Sequence, residues 1–412
     1  GMVYQTHFPG KSMQTARGIK RSPLHDRLAA QGAYFRDVSG WEGADWYAGP
    51  GQIAKVEKLS WGRQNWFDTW AREHQAVREG VGLMDMSFMA KFRVQGTDAG
   101  AVLDRLSTAR VDGAPGFITY TQWLNDGGTL EADLTVTKLG EGDFLVVASD
   151  TAHRHVETML KRALDGQRGW VTDVTSGLAQ INIQGPRSRE LLQSITSTDM
   201  SNDAFPFRAA REIDLGFARV LCVRITYLGE LGYELFVPTE QAAYVYELVT
   251  EAGAAYDLAH VGLKALSSLR MEKAYRDFGH DIDNTDSPLE VGLGFTIDWD
   301  KDFVGRQAVT AVKESGPLMR RLAQVRILDP EPLMFHGEVV YRDGVPVGYI
   351  RAASYGHTLG GAVGLAMIET GEPVTPDVIN SGTWEVDVAG VRYPAVASLR
   401  PMYDPDNARI KS

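Results

Sequence analysis

Two carboxylates stand at positions where a strand would ordinarily be apolar. In LEADLTVT (residues 130–137), Asp133 precedes the alternating run Leu134, Thr135, Val136, Thr137. An acid at the start of a strand is either a cap on a solvated turn or a group aimed into a cleft, and the pattern leaves both open. In YLGELGYELFV (residues 227–237), a glycine-bearing turn carries Glu230 and Glu234, flanked by Tyr227 and Tyr233. Glu234 lies between Tyr233 and Leu235 in a largely apolar strand, and a lone buried glutamate needs hydrogen-bond donors. A ligand with adjacent N–H groups would supply them, and so would a neighbouring arginine such as Arg270. The chemistry such groups offer is acceptance of ligand N–H bonds and transfer of a proton.

Other reactive residues carry less. His153 and His155 are two apart in a segment that reads as helical, where their side chains diverge, and no carboxylate accompanies them at ligand spacing. No metal site is expected. The single cysteine, Cys222, sits in the apolar run Leu221, Cys222, Val223 and reads as a packed core thiol. The sequence holds no G-x-G-x-x-G after a strand near the chain start, no Walker A loop, no H-E-x-x-H helix and no G-x-S-x-G elbow. The glycine-rich run GHTLGGAVG (residues 356–364) lies between two predicted strands with no helix after it, so it reads as a turn.

The elements that must position the two acids follow from hydrophobic spacing. Helical patterns occupy residues 24–31, 66–82 and 98–106, with an extended stretch over 84–94. Strands are expected over 119–124 and 132–137, joined by a turn at Asn125, Asp126, Gly127 and Gly128, and a third over 144–148. A second cycle of the same kind follows, with a strand over 179–183, a helix over 188–195, strands over 220–226 and 233–237, and a helix over 242–254. From about residue 317 short strands separated by Gly, Pro and Asp turns predict a small all-β unit. The fold class is therefore α+β. Residues 1–60 read as an extension wrapped on the body, 61–316 as two related α+β subdomains, and 317–412 as a C-terminal β-barrel.

Composition excludes several function classes. The 412 residues are 44% hydrophobic and 23% charged, with 42 basic and 53 acidic residues and a formal charge of -11, which argues against a nucleic-acid partner. One cysteine rules out an internal disulfide framework and suits a reducing compartment. No apolar run reaches the eighteen or so residues of a membrane-spanning helix. A cytoplasmic location is expected.

In order along the chain, DMSFMAKFRVQGTDA (85–99), TYTQWLNDGGTLEADLTVT (119–137), INIQGPRSRELL (181–192), TYLGELGYELFVP (226–238) and SLRMEKAYRDFGHDID (268–283) resemble the aminomethyltransferase, or T-protein, of the glycine cleavage system. The resemblance is closer to the tetrahydrofolate-binding C-terminal half of dimethylglycine and sarcosine dehydrogenases and dimethylglycine oxidase. SPLHDRLAAQGAYF (22–35), followed by Trp41 and Trp46, looks like the junction between the flavin and folate halves of those enzymes.

The resemblance implies a three-domain, cloverleaf-like body with tetrahydrofolate in a central hole. It implies that Asp133 is the catalytic residue beside N10 of the folate and that Glu234 receives the pterin N–H donors, with Tyr227 beside it. Val147 and Ser149 match positions lining the same pocket, Tyr120 falls near another, and Glu230 and Tyr233, of the same block as Glu234, are expected to bind the cofactor as well. Leu266 and Ser267 stand where the T-protein has an arginine and an aspartate, and Phe88 replaces its histidine, which disfavours a lipoyl-protein substrate. Lys91, Arg93 and Arg351 are candidates to offset the charge of a polyglutamate tail.

The implied activity is folate-dependent one-carbon transfer. A formaldehyde or iminium unit from N-methyl amine oxidation, as of dimethylglycine or sarcosine, would give 5,10-methylenetetrahydrofolate. The implied partners are a small-molecule carbon donor and a flavoprotein dehydrogenase acting in trans. A demethylase that moves a methyl group from a sulfonium, ammonium or ether substrate is an alternative, as is a non-catalytic folate-binding regulatory subunit. The chain starts at the family junction, as either a stand-alone folate half or a piece of a longer enzyme would.

Overall fold

The computed structural model describes residues 6–412; the first five residues of the expected extension lie outside it. Two antiparallel-rich sheets and one closed barrel make up the β structure of the body. The first sheet orders its strands Phe117–Leu124, Leu130–Gly140, Asp143–Ala148, Ala90–Gln95, Trp170–Asp173. The second runs Ala210–Leu215, Ala218–Val223, Gly232–Pro238, Leu178–Gln184, Gly82–Asp85, Ala259–His260. The barrel closes in the order Arg320–Ile327, Gly361–Glu369, Val345–Gly356, Val339–Arg342, Trp384–Val388, Val391–Ser398.

Each sheet buries one face under helices. In the first, Ala132, Leu134 and Val136 alternate along Leu130–Gly140 into a core with Leu103, Val156 and Leu160 of the helices Ala99–Leu106 and His153–Ala163. In the second, Tyr233, Leu235 and Val237 enter a core with Leu191 and Val245 of the helices Ser188–Ile195 and Ala242–Gly253. The opposite faces meet each other. Ile118, Leu145 and Val147 of the first sheet pack on Ala210, Val223 and Phe236 of the second. Period-two alternation therefore turns Asp133 and Glu234 away from the helices, toward the space between the sheets.

The stretch 84–94, expected as one extended run, is two strands in different sheets. Asp85 accepts hydrogen bonds from Ser87 N (3.0 Å) and Ser87 Oγ (2.6 Å), a side-chain turn that ends the first strand and lets Ala90–Gln95 start in the other sheet. In the N-terminal region, helix His25–Ala30 and the hairpin Ala33–Val38/Trp41–Tyr47 join the body closely, with Leu24, Leu28 and Tyr47 in the second sheet's core. Of the run 356–364, read as a turn, residues 357–360 form the bend between two barrel strands, while residues 361–364 already begin the second of them. The barrel docks through Leu322, Leu365 and Met367 against Leu293, Phe278 and Tyr120. No helix among the described residues is long and apolar enough to cross a membrane.

Candidate active site

A cavity of about 1180 Å³ opens between the two sheets, the loop after helix Leu263–Glu272, and the first barrel strand. Asp133, Glu234, Tyr120, Tyr227, Val147 and Ser149 all line it. Two acids about a hundred positions apart in sequence thus share one space, each on the inward face of its own sheet.

Asp133 pairs in register with Gln122 on the neighbouring strand, and the Gln122 amide donates to Asp133 Oδ1 at 2.9 Å. Gln122 is itself held by the Thr296 hydroxyl, which donates to its side-chain carbonyl. Burial raises the Asp133 carboxyl, and Gln122 and Tyr120 only partly offset this, so it titrates at about 7. Glu234 pairs in register with Asn182, whose amide donates to Glu234 Oε1 at 3.3 Å. Burial pushes its pKa up to about 7 as well, against the Asn182 hydrogen bond and the charge of Lys91. A glutamate with one long hydrogen bond inside a cavity is short of donors, a deficit that a ligand with adjacent N–H groups would fill. Tyr227 donates to Arg276 O at 2.7 Å and stacks on Tyr275, ring centroids 6.1 Å apart, giving one wall a flat aromatic surface. The turn that sets Tyr227 requires glycine at Gly229, which has φ +81° and where a Cβ would lie 2.1 Å from Lys273 Cγ.

Several expectations are corrected. Tyr233 does not line the cavity: as Glu234's neighbour on a strand it points the other way, into the helix-covered core against Phe205. Glu230 is buried outside the cavity in an ionic cluster, paired with Arg78 at 3.0 Å and Arg409 at 2.8 Å, and it accepts from the Tyr403 hydroxyl at 2.6 Å. Arg270 does not serve Glu234; it pairs with Asp281 at 2.6 Å. None of the three suggested tail-binding cations lines the cavity. Lys91 is buried and donates to the carbonyls of Ser87 and Met89, Arg93 is paired with Asp143, and Arg351 with Asp286. The cavity's own cations include Arg208, Arg276 and Arg321. His153 and His155 point to separate acids, Asp173 and Glu131, and no metal-binding cluster occurs among the described residues. Gln122, Thr296, Asn182 and Arg276 went unnoticed in sequence. Only Gln122 had a signal there, since a hairpin closed over residues 125–128 sets it opposite Asp133.

The structure thus combines a closed barrel with two facing sheets that bring two acids over one cavity. The chain matches the GCVT N-terminal domain family over residues 24–301 and the glycine cleavage T-protein C-terminal barrel domain over residues 320–404. It belongs to the glycine cleavage T-protein, or aminomethyltransferase, family, whose members bind tetrahydrofolate. It is 32% identical over 390 residues to an aminomethyltransferase of Geobacillus kaustophilus (strain HTA426), covering 93% of this chain and 99% of that one. It is 42% identical over 413 residues to 4-methylaminobutanoate oxidase (formaldehyde-forming) of Paenarthrobacter nicotinovorans, with 100% of this chain matched to 49% of the oxidase. The chain therefore spans about half the length of that relative. The fold matches the crystal structure of the glycine cleavage aminomethyltransferase T from Bartonella henselae with a TM-score of 0.79 and 22% identity, over 94% of this chain and 99% of that one.

Proposed function

We propose that the chain transfers a one-carbon unit, generated by oxidation of an N-methyl amino acid, to tetrahydrofolate, giving 5,10-methylenetetrahydrofolate. The observation that carries this reading is the placement of two carboxylates, both raised to about 7, on facing sheets around one cavity. Tetrahydrofolate, when bound, supplies the two nitrogens that take up the carbon. Glu234 would hold the pterin by accepting its N–H bonds, and Tyr227 and Val147 would flank it. Asp133, whose Oδ1 accepts from Gln122, would take up the proton shed as the carbon is transferred. A carboxyl titrating at about 7 exchanges protons readily at neutral pH in a way an ordinary aspartate does not. Its negative form also stabilises cationic species beside it.

The likeness to an N-methyl amino acid oxidase supports a donor of that class, as dimethylglycine and sarcosine are, with the oxidation done by a flavoprotein partner or a further part of the polypeptide. The test is calorimetric titration with tetrahydrofolate, then incubation with formaldehyde and analysis of the folate product. Binding followed by methylene product is expected. A methyl product from sulfonium or ammonium donors would instead identify a demethylase. Absence of folate binding would refute the reading.

A further inference from the structure

Arg276 is a cation in the cavity that the roles above leave unused. It lies in the loop after helix Leu263–Glu272 and lines the cavity with Asp133, Tyr120 and Tyr227. Its Nε donates to Val291 O at 2.8 Å and its Nη1 to Ala274 O at 2.6 Å, so two backbone carbonyls hold the plane of the guanidinium. Among the described residues, Nη2 has no hydrogen-bond partner and no carboxylate pairs with the group. The nearby acids are engaged elsewhere: Asp281 with Arg270 at 2.6 Å, and Asp277 with His280 at 3.3 Å. Gly292 makes the room, since a Cβ there would come within 2.6 Å of Nη2. A guanidinium fixed by carbonyls, with one nitrogen unpartnered on a residue that lines a cavity, is arranged to receive an anion through a charge-assisted hydrogen bond.

We propose that Arg276 anchors the carboxylate of the carbon donor, making the cavity selective for amino-acid donors over carboxylate-free amines. This rests on the functional reading above. Tetrahydrofolate also carries carboxylates, on its glutamate; Arg276 shares one cavity with Asp133, to which the proposed reaction brings the carbon.

The test uses the folate-free chain and two probes differing only in the carboxylate: 4-methylaminobutanoate and N-methylbutylamine, followed by ligand-observed NMR. The wild type should bind the first in clear preference to the second. Arg276→Met should lose roughly tenfold or more of affinity for the first and leave the second unchanged, the size expected for a charge-assisted pair. Gly292→Ala, which crowds Nη2 with the arginine still present, should weaken the same probe. Equal binding of the two probes by the wild type, or unchanged binding in Arg276→Met, overturns the proposal. So does a selective loss of tetrahydrofolate over tetrahydropteroate in Arg276→Met, which would assign the arginine to the folate glutamate. Tetrahydrofolate titration of the wild type tests the underlying reading separately.

Discussion

Replacing Asp133 by asparagine should make the protein more stable at alkaline pH while abolishing its chemistry. An aspartate that titrates at about 7 in the folded chain, against about 3.9 when unfolded, carries a penalty near 4 kcal/mol at ~1.4 kcal/mol per pH unit. The cavity admits water, which screens the charge, so a measured effect of about 1–2 kcal/mol is expected. The sign follows from proton counting. Between the two pKa values the folded state binds more protons than the unfolded one, so stability falls as pH rises from 4 through 7. At pH 8 the penalty is present in full, and at pH 4 it has nearly vanished. Asparagine keeps the carbonyl that accepts from Gln122 and removes the charge. With an unfolding entropy of about 2.1 cal/mol/K per residue over 412 residues, the gain corresponds to a melting-temperature rise of roughly 1–2 °C at pH 8, and to none at pH 4. Scanning calorimetry of both proteins at the two pH values measures this. In parallel, transfer should fall by about 10²–10⁴ while the dissociation constant for tetrahydrofolate stays within about threefold. A variant no more stable than wild type at pH 8, or one gaining equally at both pH values, would refute the claim that this carboxyl is held out of water. Equal losses of transfer and folate affinity would make Asp133 a binding residue.

Glu234→Gln should keep the fold and weaken tetrahydrofolate binding by about 10–100-fold, since it removes a charged acceptor from the donor-poor wall; calorimetric titration decides it. Arg78 bridges Glu230 at 3.0 Å and Glu272 at 2.9 Å in a buried cluster, and Arg78→Met should cost about 3–5 kcal/mol by urea denaturation without changing the cavity's lining. Burial alone would raise Glu272, but His74 and Arg78 hold it down to about 2, so its stabilising contribution is complete above about 4.5 and fades as pH falls toward 2. Glu272→Gln should therefore flatten the acid limb of the stability curve, with the effect read as the acid-unfolding midpoint. Burial pushes the Cys222 thiol well above its ordinary value, and it should react with a thiol reagent only as fast as the chain unfolds.

The sequence alone was enough to place the elements around the acids. Period-two alternation marked the strands carrying Asp133 and Glu234, and helical spacing marked Ser188–Ile195 and the long helix seen as Phe67–Glu79. The ordered blocks pointed to the family and to the two acids as a pair. Local pattern also contained, unread, the reason Tyr233 cannot share a site with Glu234, because adjacent strand residues face opposite ways. What tertiary structure decided was every relation between segments distant in sequence. Asn182 reaches Glu234 only because Leu178–Gln184 pairs with Gly232–Pro238 in one register. Arg78, Arg409 and Tyr403 claim Glu230 from separate regions of the chain. The desolvation that raises both acids to about 7 likewise comes from two sheets closing on each other. Burial, register and charge partnership are properties of that closure, so no local pattern encodes them, and the freedom of Arg276 to meet an anion is of the same kind.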